Sequence, residues 1–182
     1  METKNKGTGA GGANTNVNGL SFEDMASLED YFSVISELPF GLKIQFNGFP
    51  KEFIYLKKKE FIKWTRQLPV GEYNDIPKLH GTKEPDGCFI NEDSKQIIIL
   101  EKKFQNGGGS VAEKLQTPVN KIRNLSRRYV SYKIFYIYWL SDWFKDNAKA
   151  ELLDLVEDKI PYFIGLSYDI KTKVVQQINN CK

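Results

Sequence analysis

Glu84-Pro85-Asp86-Gly87-Cys88-Phe89-Ile90-Asn91, then Glu92-Asp93-Ser94-Lys95, then Gln96-Ile97-Ile98-Ile99-Leu100-Glu101-Lys102-Lys103 is the stretch on which the fold turns. Two short apolar runs flank Asn91-Glu92-Asp93-Ser94, whose side chains favour a turn, so the stretch predicts a β-hairpin with strands over 86–91 and 96–103. Side chains on a strand alternate faces, which sends Glu101 and Lys103 one way and Lys102 the other. The run before Glu101 belongs in a sheet interior. Charges at its end cost on the order of several kcal/mol unless they are paired or hold a metal. Asp86 begins the partner strand, so Asp86, Glu101 and Lys103 are expected at one point.

Outward from this hairpin the chain reads as an alternating α/β protein, with a mixed central β-sheet flanked by helices. Residues 1–19 hold five glycines interleaved with Asn14, Thr15, Asn16 and Asn18, and lack the apolar surface to order themselves. They are expected to form an N-terminal arm before a single domain over 20–182. Met25, Leu28, Phe32 and Ile35 recur at helical spacing from Ser21 to Leu38. Pro39 and Gly41 stop that pattern. A strand is expected over 42–46, a lysine-rich helix over 53–68 and a loop over 71–81. Ser110 and Glu113 form a capping box for a helix that Pro118 should kink or interrupt. The apolar-aromatic run 132–140 predicts a central strand buried on both faces. A helix over 145–157 and a last strand over 162–168 complete the order.

Composition bounds the chemistry. With 41% apolar and 13% aromatic residues, the 182-residue chain has material for one substantial core. The net charge of +3 is compatible with nucleic acid without requiring it. No apolar run approaches a membrane span, and the N-terminus carries no signal-peptide core. Only Cys88 and Cys181 are present, which suits a reducing cytoplasm. The one histidine, His80, excludes a multi-histidine zinc site within one chain and is given no role. Two carboxylates and an ammonium instead suit a hard, oxygen-seeking cation such as Mg²⁺, with Mn²⁺ as a substitute. Pro-Asp-Gly is also a common turn, and Glu-Lys-Lys a common strand end.

The order Asp86, then Glu101-x-Lys103 across a hairpin and before a helix, resembles the PD-(D/E)xK nuclease superfamily. The stretch 99–105, continued by Gly109-Ser110-Val111-Ala112-Glu113-Lys114-Leu115-Gln116-Thr117, is similar to a subset of type II restriction endonucleases. So is the opening Gly11-Gly12-Ala13-Asn14-Thr15-Asn16, with Gly19 and Phe22-Glu23. The resemblance implies a restriction-endonuclease-like core and Mg²⁺-dependent, site-specific hydrolysis of double-stranded DNA. It makes Asp86 and Glu101 the metal ligands and Lys103 the catalytic lysine. Position in the Phe-Glu motif nominates Glu23 as an auxiliary acid, whereas a helical wheel places Glu29 inside the apolar stripe.

One site cuts one strand, so a symmetric homodimer suits a palindromic target. Lys114, Lys121 and Arg128 recur every seven residues and predict a basic ridge for phosphates. Gln116, by the resemblance, is expected near the scissile region, and Gln105 lies in the matching stretch as a further DNA contact. Asn14, Thr15 and Asn16 suit base reading, since an amide pairs bidentately with adenine. A repair or junction-resolving nuclease, or a non-catalytic DNA-binding module of the same fold, are the rivals.

Overall fold

A computed structural model describes residues 21–76, 84–107 and 112–182. One seven-stranded mixed sheet runs in the order β1 (Phe32–Leu38), β2 (Gly41–Phe46), β3 (Glu52–Leu56), β4 (Gly87–Asn91), β5 (Gln96–Lys103), β6 (Lys133–Leu140) and β7 (Tyr162–Ile164). The first five strands pair antiparallel, and β5, β6 and β7 pair parallel. Parallel neighbours require crossovers, which are supplied by α3 (Pro118–Arg128) between β5 and β6, and by α4 (Trp143–Asn147) and α5 (Lys149–Glu157) between β6 and β7. Residues 21–25 form α1, Lys59–Thr65 form α2, and Tyr168–Asn180 form α6. The protein is therefore an α/β fold built on a mixed sheet, as its sequence predicts.

Each face of the sheet carries its own core. Cys88, Ile97, Ile99, Tyr136, Tyr138 and Leu140 bury one face against Phe61 and Trp64 of α2, Leu125 of α3, Phe144 of α4, and Leu152 and Leu155 of α5. Phe89, Ile98, Leu100, Ile137 and Trp139 bury the other against Phe22 of α1 and Val174, Val175 and Ile178 of α6. The unbroken apolar run of β6 follows from this, since it is covered on both sides. The Trp139 indole donates to the Gly165 carbonyl at 2.7 Å, which satisfies the polar atom of a side chain with no exposure. Cys88 and Cys181 are both buried free thiols. Among the described residues no helix is long and apolar enough to cross a membrane.

Four expectations need correction. The helix expected over 21–38 stops at residue 25, and its second half is the edge strand β1. The apolar spacing misleads because Met25 and Ile35 are exposed, at 51% and 44%, rather than part of a buried stripe. Val34 and Ile35 are β-branched, and pairing with β2 satisfies the backbone. The region 53–68 divides: Glu52–Leu56 is β3, inserted between β2 and β4, and α2 begins only at Lys59 after a backbone break at Lys58. The helix over 145–157 is two short helices parted at Ala148.

The expected last strand ends at Ile164, and the final helix α6 was not anticipated. Its signals are a Ser167 side chain accepting from the Ile170 amide, and Val174, Val175 and Ile178 on one face. Pro118 acts as expected. The chain makes a 3-10 turn over Ala112–Gln116 and restarts as α3 with Pro118 in its first turn. The arm over 1–19, His80 and the Ser110 cap lie outside the described residues.

The hairpin joining β1 to β2 leaves no room at Gly41. A Cβ there would lie 2.6 Å from the Tyr55 carbonyl oxygen and 2.5 Å from Leu56 Cδ2. Gly41→Ala is expected to cost about 2 kcal/mol, the range of an overpacked interior site. Chemical denaturation checks this, and a variant as stable as wild type would mean that β3 yields.

Candidate active site

The β4–β5 register sets the geometry. Gly87 pairs with Leu100, so Asp86, just before β4, comes level with the Glu101 end of β5. The Lys102 amide donates to Asp86 Oδ2 at 2.9 Å and pins that carboxylate across the hairpin. Glu101 shares its face with Ile97 and Ile99, and Lys102 shares the opposite face with Ile98 and Leu100. Lys102 accordingly reaches away, donating to the Glu23 carbonyl at 2.8 Å. Lys103 turns back with Glu101 and donates to its Oε1 at 2.5 Å. The three residues expected at one point do meet there.

Four further side chains complete the cluster. Lys121, from α3, lies 3.4 Å from Glu101 Oε1 and donates to the Tyr136 hydroxyl at 3.0 Å. Glu23 of α1 accepts from Lys58 at 2.9 Å. The Lys58 amide donates to the Pro85 carbonyl at 3.0 Å, tying the entrance of α2 to the Asp86 loop. Glu23, Lys58, Asp86, Glu101, Lys121 and Tyr136 all line one cleft of about 580 Å³.

The two central carboxylates differ in electrostatics. Burial raises the Asp86 carboxyl above its ordinary value, and the neighbouring Glu101 charge raises it further. Burial also acts to raise Glu101, but the Lys103 and Lys121 ammoniums outweigh it and hold that carboxyl below its ordinary value. Burial lowers Lys102 and strongly raises the Tyr136 phenol, the latter with help from Glu101.

The donor set suits a hard divalent cation. Asp86 and Glu101 are oxygen donors close enough that the Glu101 charge disfavours ionisation of Asp86, and a cation between them would relieve that repulsion. Among the described residues no three His, Cys, Asp or Glu side chains converge on one point. A two-carboxylate site of the kind Mg²⁺ tolerates, with water completing its shell, is what these residues could hold.

Between the two helix acids, Glu23 lines the cleft while Glu29 pairs with Lys57. The helical wheel misplaced Glu29 because α1 ends before reaching it.

The basic ridge does not form. Lys114 is exposed on the 3-10 turn, Lys121 points into the cleft, and Arg128 is buried, donating to the Ile76 carbonyl and the Tyr73 hydroxyl. Lys121 and Arg128 stand four before and three after Leu125, so they share its inward face; that spacing was the signal for their true direction. Gln105 is also buried, with its amide donating to the Gly107 carbonyl at 2.6 Å and its backbone locked to Ser141. Gln116 is exposed, as are Arg123 and Arg127 on the outer side of α3. Asn14, Thr15 and Asn16 lie outside the described residues. The cleft residues Lys58 and Tyr136 were not anticipated, since they come from elements remote in sequence. No protein-family model, curated protein or solved structure matches the chain.

Proposed function

We propose that this chain is a divalent-metal-dependent nuclease of the PD-(D/E)xK type that hydrolyses phosphodiester bonds in DNA, as a type II restriction endonuclease does. The observation that carries this reading is the hairpin register that brings Asp86, Glu101 and Lys103 to one sheet end, with both carboxylates lining a cleft. Asp86 and Glu101 would hold Mg²⁺ or Mn²⁺, which when bound supplies an acidified water and charge stabilisation on the phosphate. Lys103, an ammonium held on Glu101, would orient that water and offer its charge to the phosphate. Lys121 offers a second ammonium to the phosphate, steadied by the Tyr136 hydroxyl. Glu23, held by Lys58, stands at the rim as the auxiliary acid. One such site cuts one strand, so a symmetric homodimer in the cytoplasm suits cleavage of both.

Purified protein incubated with unmodified plasmid and Mg²⁺ is expected to yield discrete fragments. Lys103→Ala is expected to slow cutting by about a hundredfold or more, the scale of losing one donor to the developing negative charge, with DNA affinity largely retained. Undiminished cutting by that variant would remove Lys103 from the chemistry. DNA binding without any Mg²⁺ or Mn²⁺ binding would favour a non-catalytic module.

A further inference from the structure

The cleft does not end at the carboxylates. It continues between α2 and α3 into an aromatic end lined by Phe61, Thr65, Tyr73, Arg128 and Tyr129. Phe61 and Tyr129 pack with ring centroids 5.4 Å apart, and Tyr73 and Tyr129 at 5.3 Å, so this wall is already assembled. Its polar handles are the Tyr73 hydroxyl and the Thr65 hydroxyl, which stands 2.9 Å from that of Tyr129.

Arg128 is the informative residue. It is only 4% exposed and stacks on Tyr73, its guanidinium 5.2 Å from the ring centroid. Among the described residues it makes no ion pair with a carboxylate. A guanidinium offers five donors. Its contacts to the Ile76 carbonyl and the Tyr73 hydroxyl leave others for a ligand. A buried cation without a carboxylate is costly unless a bound anion completes it, and Arg128 lines the cavity where such an anion would sit.

We infer that this aromatic end is a subsite for one unpaired nucleotide, its base on the aromatic wall and its phosphate toward Arg128; the inference rests on the nuclease reading above. The whole cleft, from the carboxylates to this aromatic end, encloses about 580 Å³, a volume suited to one nucleotide drawn out of a duplex. Base–aromatic stacking combined with arginine–phosphate pairing is how proteins hold unstacked nucleotides. The substrate class is therefore duplex DNA with one nucleotide drawn out of the stack beside the bond to be cut.

The test measures affinity without metal, in EDTA, for a labelled 20-base-pair duplex and the same duplex with a central one-nucleotide bulge. Wild type is expected to prefer the bulged form by about tenfold, the scale of one stacking contact. Ile62 of α2, between Phe61 and Thr65, also lines the cleft, and Ile62→Trp, adding bulk there, is expected to erase that preference while leaving affinity for the paired duplex unchanged. Ile62→Phe, a smaller increment, should reduce it in the same direction, and thermal melting establishes that each variant is folded. Equal affinity of wild type for the two duplexes overturns the inference. So does a folded Ile62→Trp protein that keeps the wild-type preference. Bulge preference without any cleavage in Mg²⁺ supports the subsite and counts against the nuclease reading, and cleavage without bulge preference does the reverse.

Discussion

Asp86→Asn is expected to slow DNA cleavage by about a thousandfold or more, as loss of a metal ligand worth several kcal/mol to the transition state would, and yet to raise the melting temperature at pH 7. The two effects share one cause. Burial and the Glu101 charge raise the Asp86 carboxyl above its ordinary 3.8, so the folded protein resists the ionised form that the unfolded chain accepts. That penalty begins as pH rises past the ordinary value and is complete above the folded one; below both it vanishes. Asparagine carries no charge and keeps an oxygen to accept from the Lys102 amide. The variant's stability advantage should therefore be present at neutral pH and close in acid. Calorimetric melting from pH 3 to pH 7 measures it, and a neutral-pH melting temperature below wild type would mean that Asp86 is structural.

The same chemical change one strand away should have the opposite sign. Glu101→Gln is expected to abolish cleavage and to destabilise the protein by about 2 kcal/mol, the scale of lost charge-assisted hydrogen bonds, or about 4–8 °C in melting temperature. Glu101 is the shared acceptor for Lys103 and Lys121, at 2.5 and 3.4 Å, and all three side chains are largely shielded from water. An amide leaves both ammoniums without their counter-charge. The lysines hold Glu101 below its ordinary 4.5 against the opposing effect of burial, so its contribution is complete above that value and is lost as pH falls through the folded one. The deficit of Glu101→Gln should accordingly shrink in acid. Stabilisation by this variant at neutral pH would show that the lysines find other partners and that the pairing is incidental.

These opposite signs rest on what surrounds each carboxylate, and only part of that is legible along the chain. The hairpin is local. Turn residues join two apolar runs, and one strand period places Glu101 and Lys103 together and Lys102 opposite. Lys121 is different. A seven-residue charge spacing suggested a solvent ridge, yet the residue turns inward because α3 lays its Leu125 face on the sheet. Arg128 follows it into the core for the same reason.

From the residues alone came the α/β class, the paired strands, the buried strand β6 and the three side chains at the hairpin's end, because each depends on periodicity or turn chemistry within about twenty positions. Tertiary packing decided the rest. Whether 32–38 coils or extends depended on β2 lying beside it. Which glutamate reaches the cleft depended on where α1 ends, and which lysine meets Glu101 depended on how α3 crosses the sheet. Those outcomes are set by contacts between segments far apart in the chain, whose burial outweighs local propensity by more than any short window reveals.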